Sequence, residues 1–307
     1  MRRAAPAAAG LLLVFSACAS VVGPSAPLPS TAEPSPAQGA QDAAARDAAI
    51  RFIRAYAGAP NDGGEALTGL ADGLAKEWAH WVSVQNNAFD GTIHGVASIL
   101  SVGAPQPLNG STFPGLVVEV QATVAFTLAP ADGSVIAPQV RSLDGPMSLT
   151  QVGPYDWRVA DFTRDGQALH SFFVSLSGPG TVEADVTVGV HAVVLTAGAW
   201  QIGIDVQNDG SEAIALDAAN VALFLDQELV PGNTGSTFEP IAAGATAEGF
   251  VTLPAPTTAG RPVVVLRFGT TGDSIDFVIS IPDPREAAGQ AVPTESASPS
   301  PTGALAG

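Results

Sequence analysis

The residues that could take part in chemistry are few in this sequence, and they lie far apart. Its 307 residues include four histidines, His80, His94, His170 and His191, and a single cysteine, Cys18. The histidines do not have the spacing of zinc-binding motifs, so the sequence predicts no metal site. It also contains no G-x-S-x-G nucleophile motif, no H-E-x-x-H, no P-loop and no G-x-G-x-x-G. We therefore expect a protein with no catalytic residues and no cofactor.

A stretch in the second half of the chain comes closest to a calcium-binding loop. "DVQNDGSEAIAL", which begins at Asp205, has suitable residues at positions 1, 3, 5 and 6 of an EF-hand loop. Position 12 is Leu216, where a bidentate glutamate is needed, and the flanking residues alternate as strands do. We interpret the N-D-G at 208–210 as a hairpin turn.

Helices followed by strands are predicted for residues 42–166. A helix starting near Asp42 would bury one face and end within Gly58–Gly64, and a second helix would cover residues 65–83. The alternation of residues 116–129 predicts a long strand, with shorter strands at 136–142, 147–152 and 157–162. This order, closed by "YDWRVADFTRDG", resembles the nuclear transport factor 2-like family. The resemblance implies an α+β cone, in which helices pack on a curved antiparallel sheet.

The resemblance also implies a pocket between the helices and the concave face of the sheet. Seven residues could line it: Tyr56, Trp78, Trp81, Asp90, His94, Trp157 and Asp161. A buried His–Asp pair there could move a proton next to a carbonyl group. However, the two helical tryptophans have the spacing of core residues, and His80 between them is expected to face solvent. Asp90 and His94 flank a segment predicted to be a loop.

Residues 181–282 predict an all-β domain. Short alternating segments separated by Gly, Pro and Asp turns favour a β-sandwich of about seven strands. "IGIDVQNDGSEAIAL" and "FEPIAAGATAEGFVTLPAP" resemble the telokin-like immunoglobulin sandwich of bacterial lipoproteins. That resemblance implies a surface lipoprotein and no known activity. The connecting residues 167–180 could be a rigid junction or a hinge, although "HSFFVSLSG" is apolar enough to pack.

The N-terminus has the three parts of a bacterial export signal within residues 1–17. Two arginines precede an apolar stretch at residues 4–14, which is too short for a permanent membrane span. "FSAC" resembles a lipobox, which implies cleavage before Cys18 and lipidation of its thiol. The alternative is ordinary secretion, with Ala17-Cys18-Ala19 as the cleavage site. We favour lipidation because a lone thiol in an exported protein has no partner for a disulfide.

Low-complexity segments are predicted at both ends of the mature chain. Residues 18–41 are rich in Pro, Ser and Ala and predict a flexible tether, and residues 283–307 predict a disordered tail. The formal net charge of −17 argues against binding to nucleic acid, because such a surface repels phosphate groups.

These observations predict a non-enzymatic extracytoplasmic lipoprotein, held at the cell membrane by its N-terminal lipid. Its expected role is to bind or scaffold a protein or another envelope component. The alternative is that the cone binds a small apolar molecule, with catalysis the less favoured version of that hypothesis.

Overall fold

The computed structural model describes residues 36–108, 115–176, 178, 180–196, 198–256, 260–283 and 285–286. The predicted signal peptide, Cys18 and the first part of the predicted tether lie outside these residues. The four helices in the described part of the chain are α1 (Pro36–Asp62), α2 (Glu65–Gly69), α3 (Gly73–Asn87) and α4 (Leu169–Phe172). No helix among the described residues is both long and apolar enough to cross a membrane.

The strands divide into two groups along the chain. The first group is β1 (Gly91–Val102), β2 (Gln106–Pro107), β3 (Gly115–Pro130), β4 (Gln139–Ser142), β5 (Gly145–Gly153), β6 (Asp156–Arg164) and β7 (Gln167–Ala168). The second group is β8 (Phe173–Ser175), β9 (Thr181–Glu183), β10 (Val186–Thr196), β11 (Ala199–Asn208), β12 (Val221–Leu225), β13 (Glu228–Leu229), β14 (Gly235–Ser236), β15 (Thr246–Pro254), β16 (Pro262–Gly269) and β17 (Ser274–Ser280).

Helix α1 begins earlier than predicted and ends within the predicted range. It begins at Pro36, a residue that the first helical turn tolerates, so residues 36–41 of the predicted tether are helical. The extension places Gln41 beside β6, where its Oε1 accepts a hydrogen bond of 3.1 Å from Trp157 Nε1. The helix then continues through Gly58 and ends at Asp62, before two glycines with positive φ.

The predicted second helix is two helices, separated at residues 70–72. Asp72 N donates to the carbonyl oxygen of Val159 at 2.8 Å, and Val159 N donates to that of Leu70 at 3.0 Å. The break lets the chain pair briefly with β6, and Gly73, with φ 51°, starts α3 in a conformation that most residues avoid. Sequence periodicity did not detect the break because the apolar stripe continues across it.

The first sheet is antiparallel and carries the helices on one face. Its strand order is β1-β3-β5-β6-β7, with β2 and β4 also paired to β3. Helix α1 packs against β1, β3 and β6, and the predicted long strand is confirmed as β3. The predicted loop that follows Asp90 is wrong, because residues 91–102 form β1, the edge strand. Its alternation is obscured by Gly95 on the helix-facing side and by exposed Val96 and Leu100 on the other.

The second group of strands forms a β-sandwich. One sheet has the order β14-β15-β11-β10-β8, with β9 also on β10, and the other has the order β13-β12-β16-β17. Trp200, Ile204, Leu223, Leu266 and Phe277 belong to the apolar core that the two sheets enclose. A tight turn at residues 184–185, both with positive φ, separates β9 from β10.

The connecting segment is a packed junction between the two groups of strands. β7 pairs with β6 of the first sheet, whereas β8 pairs with β10 of the sandwich, and α4 lies between them. Leu169, Phe172 and Phe173 are buried in the same core as α1 and α3. That core continues onto the outer face of the sandwich sheet, where the Trp81 ring lies 5.3 Å from the Phe250 ring.

The start of the predicted C-terminal tail is part of the folded body. The Asp283 side chain is buried, and its Oδ2 lies 2.6 Å from Arg285 Nη2. Arg285 also donates to the carbonyl oxygen of Pro256 at 2.8 Å and stacks over the Trp200 ring. The prediction of disorder from residue 283 is therefore wrong for Asp283, Arg285 and Glu286, because the contacts of Arg285 with Pro256 and Trp200 hold the chain against the sandwich. Residues 287–307 lie outside the description.

Candidate functional site

Most of the residues predicted to line a pocket are core residues. Trp78, Trp81 and Trp157 are at most 4% exposed, and Tyr56 is 5% exposed. Trp78 packs edge-on against Phe162, with ring centroids 4.7 Å apart, and lies 5.0 Å from the Tyr56 ring. The aromatic side chains therefore fill the space between the helices and the sheet. Burial raises the pKa of Tyr56 above its ordinary value.

The predicted acidic residues and histidine do not come together. Asp90 is exposed, and so is His94 on β1. Asp161 lies on β6 between the buried Val159 and Phe162, and its Oδ2 is 3.2 Å from Nδ1 of His170, a partner that the sequence did not indicate. The described residues thus give no buried His–Asp pair within the helix-and-sheet core.

A small cavity borders Tyr56 on the side of β3 and β4. It has a volume of about 120 Å³, and its lining includes Gln85, Ile93, Phe126, Arg141 and Arg164. Pockets for drug-sized ligands have volumes of about 300–1,000 Å³ and are mostly apolar. This cavity is smaller and mixed in polarity, so it suits ordered water better than an apolar ligand.

The most concentrated group of titratable side chains lies where α3 meets the sandwich. We call it the junction cluster, and it comprises His80 on α3, His191 on β10, Asp205 on β11 and Glu248 on β15. Asp205 and Glu248 are directly opposite each other on adjacent strands. The three strand residues lie on the outer face of the sheet, beside the Trp81–Phe250 contact.

The distances within the junction cluster are short. His80 Nε2 donates a 2.5 Å hydrogen bond to Glu248 Oε1, and the two imidazole ring centroids are 6.1 Å apart. His191 has a carboxylate on each side, with Nδ1 3.4 Å from Asp205 Oδ2 and Nε2 3.6 Å from Glu248 Oε1. These last two distances exceed those of ordinary hydrogen bonds.

Both nitrogens of His191 are buried and have no hydrogen-bond partner among the described residues. An unsatisfied buried polar atom costs about 1–3 kcal/mol. The neighbouring carboxylates lie beyond ordinary hydrogen-bond distance, so each nitrogen keeps a donor or acceptor position that a ligand or water could use.

A local backbone irregularity presents His191 to the cluster. The pairing of β10 with β11 shifts between Val190 and Ala192, so His191 is the extra residue of a β-bulge. Gly203 lies beneath the imidazole, and a Cβ atom there would overlap the ring. The bulge and the glycine together create the space in which the ring lies.

The pKa shifts follow from the contact between His80 and Glu248. This hydrogen bond raises the pKa of His80 and lowers the pKa of Glu248 from their ordinary values. The proton on His80 is therefore held more strongly than on a free imidazole. The side chains are about half exposed for His80 and one-third exposed for Glu248, so the pair remains accessible to solvent.

Sequence analysis missed this cluster because its members are far apart in the chain. The expectation that the histidines are scattered is wrong for His80 and His191, which are neighbours in the fold. Asp205 was noted only as the first residue of a calcium-like spacing. The chain turns after β11, but the hairpin interpretation is wrong, because β11 pairs with β10 and β15 and the next strand, β12, lies in the other sheet. A local signal existed only in the V-H-A interruption of the β10 alternation.

Comparison of the chain with protein-family models, curated proteins and solved structures gives no match.

Proposed function

We propose that this protein is a non-enzymatic lipoprotein of the bacterial cell envelope, anchored through Cys18, that binds or scaffolds another component. The residues before Cys18 support the anchor: two arginines, a short apolar stretch and the lipobox-like "FSAC". We further propose that the first part of the fold is a nuclear transport factor 2-like cone and the second an immunoglobulin-like sandwich. The helices that precede an antiparallel sheet are compatible with the cone. The two facing sheets of the second part are compatible with the sandwich.

The observation that carries a binding role is the packed interior. Trp78, Trp81 and Phe162 occupy the space where a cone would hold a small apolar molecule. The remaining cavity beside Tyr56, about 120 Å³, is small for such a ligand. We then expect the protein to recognise its partner through its outer surface, as binding and scaffolding proteins do.

A shared core further supports a scaffolding role. The described residues from Pro36 onwards belong to one compact unit, and the core around α3 includes Ala192 and Val194 of the sandwich. A surface that spans both groups of strands would therefore be presented to a partner with fixed geometry. Such preorganisation reduces the entropic cost of binding.

Membrane fractionation of cells that produce the full-length protein tests the anchor. Wild type is expected in the membrane fraction, with an acyl mass on its N-terminal peptide, and Cys18→Ser is expected in the soluble extracytoplasmic or secreted fraction. Ser25→Ala, a change within the same predicted tether that keeps the thiol, is the matched control and should behave as wild type. Retention of Cys18→Ser in the membrane would refute lipid anchoring.

Native mass spectrometry of the protein, extracted gently from its own membrane, tests the binding role. A co-purifying protein or envelope component at fixed stoichiometry is the expected result. A small apolar molecule that is released on unfolding would overturn this proposal in favour of the ligand-binding alternative. A bare monomer would contradict a tight, permanent complex.

A further inference from the structure

The junction cluster combines imidazole and carboxylate groups from four different elements. We propose that His80, His191 and Glu248 bind a divalent transition-metal ion of the Zn²⁺ class, with Asp205 orienting His191. Imidazole nitrogen and carboxylate oxygen are common ligands of zinc in proteins. This inference goes beyond the envelope role and does not depend on it.

Glu248 Oε1 lies near a nitrogen of each imidazole, whereas the two imidazoles, with ring centroids 6.1 Å apart, have to move closer for both to bind one ion. In a tetrahedral zinc site with bonds near 2.0 Å, neighbouring ligand atoms lie about 3.3 Å apart. Glu248 Oε1 is 3.6 Å from His191 Nε2, close to this value. It is 2.5 Å from His80 Nε2, and this distance has to lengthen when a metal replaces the shared proton. His80 is half exposed, so its side chain has room to make that adjustment.

Asp205 has the position of a supporting carboxylate. Its Oδ2 lies 3.4 Å from His191 Nδ1, the ring nitrogen that faces away from Glu248. Metal-binding histidines commonly donate their second N–H group to a carboxylate, which sets the tautomer and the direction of the ring. The Asp205–His191–Glu248 arrangement therefore directs Nε2 of His191 to the metal.

Two further observations indicate a ligand at this place. The β-bulge and Gly203 make space for the His191 ring, and such bulges often re-aim a side chain at functional sites. Nε2 of His191, the nitrogen assigned to the metal, is buried without a hydrogen-bond partner among the described residues.

The ligand set also selects among cations. Ca²⁺ and Mg²⁺ prefer six or more oxygen ligands, whereas two imidazoles and a carboxylate suit Zn²⁺ and related ions. The EF-hand-like spacing that begins at Asp205 does not contribute a calcium loop, since Asn208 and the residues after it form a turn at the end of β11.

Calorimetric titration of ZnCl₂ into the full-length protein, stripped of metal with a chelator, tests the proposal. One equivalent of Zn²⁺ per chain is expected, together with the intense visible absorption of tetrahedral Co²⁺ when cobalt is substituted. Asp205→Asn should weaken Zn²⁺ binding by about 10- to 100-fold, as loss of a supporting carboxylate does elsewhere. Loss of a direct ligand in His191→Gln or Glu248→Gln should weaken it further.

His94→Gln and His170→Gln are the matched controls, because each removes an imidazole outside the junction cluster. Both should bind Zn²⁺ as wild type does. Thermal melting of the metal-free variants, followed by circular dichroism, checks that they fold. If His191→Gln does not fold, the near-isosteric Glu248→Gln variant provides the test. Absence of saturable binding, or an affinity unchanged by Glu248→Gln in a folded protein, would overturn the assignment.

Discussion

Asn208 is the buried polar side chain whose removal is expected to destabilise the sandwich most clearly. It lies at the end of β11 and is fully buried. Its Nδ2 lies 2.9 Å from the carbonyl oxygen of Glu212 and 3.1 Å from those of Ile241 and Ala242. Its Oδ1 accepts a hydrogen bond of 3.1 Å from Gly210 N. One side chain thus joins the turn after β11 to the segment that precedes β15.

Asn208→Ala removes all of these hydrogen bonds and leaves their backbone partners without the side-chain amide. A hydrogen bond contributes about 0.5–1.5 kcal/mol net, and the two N–H groups of the amide are shared among three carbonyl oxygens. Counting about three effective bonds, we expect the free energy of unfolding to fall by about 2–4 kcal/mol.

Asn208→Asp separates hydrogen bonding from packing, because the side chain keeps its shape. At neutral pH a buried carboxylate would face three carbonyl oxygens, so this variant should be less stable than Asn208→Ala. Burial and these oxygens raise the pKa of the introduced carboxyl in the folded state above its unfolded value. Its ionisation therefore destabilises the fold at high pH, and the deficit relative to wild type should shrink as the pH falls and protonation restores one donor.

Urea-induced unfolding, followed by circular dichroism and tryptophan fluorescence, measures these differences. Gln207→Ala is the matched control, since the exposed Gln207 amide contacts only the Asp209 carboxylate among the hydrogen bonds described for it. It should remain within about 0.5 kcal/mol of wild type. If Asn208→Ala is as stable as Gln207→Ala, the reasoning from buried hydrogen bonds is refuted.

Two further predictions concern packing and the C-terminal ion pair. Gly95→Ala should lower the melting temperature, because the Cβ of the introduced alanine would overlap the carbonyl oxygen of Ala57 in α1. In Gly58→Ala the new Cβ has no atom within 4 Å, so the free energy of unfolding should rise by about 0.5–1 kcal/mol. An equal loss of stability in the Gly95→Ala and Gly58→Ala variants would contradict the steric argument. Asp283→Asn should lower the free energy of unfolding by about 1.5–3 kcal/mol at pH 7, by weakening the charge-assisted contact with Arg285. The Arg285 hydrogen bond lowers the folded-state pKa of Asp283, so the wild-type advantage is present above the unfolded value near 4 and should disappear as the pH falls through the folded value. A difference independent of pH would exclude this ion pair as the cause.

Several elements could be predicted because their signals are local. The apolar stripe of α1 and the alternation of β3 reflect side chains that must face a core at fixed periods. The turn at N-D-G is equally local, but the chain forms no hairpin there, because β11 pairs with β10 and β15 and not with β12. The bounds of β3 agree with the prediction to within one residue, and α1 begins six residues earlier than predicted.

Other features required information from distant parts of the chain. The break between α2 and α3 exists because Val159 of β6 pairs with the backbone there. The ordered start of the C-terminal segment depends on Arg285 reaching Pro256 and Trp200. A composition rich in Pro and Ser indicates disorder only where no such partner is available.

The sequence alone indicated most of the periodic elements, the acidic net charge and the lipobox-like residues before Cys18, since each depends on composition or on neighbouring residues. Only the tertiary structure brought together His80 and Glu248, which are 168 positions apart in the chain. Their meeting depends on the docking of α3 against the sandwich, and the position of His191 depends on a one-residue bulge in β10. The docking has no local pattern, and the only local sign of the bulge is the V-H-A interruption at residues 190–192, because a contact between distant segments is decided by how whole elements pack.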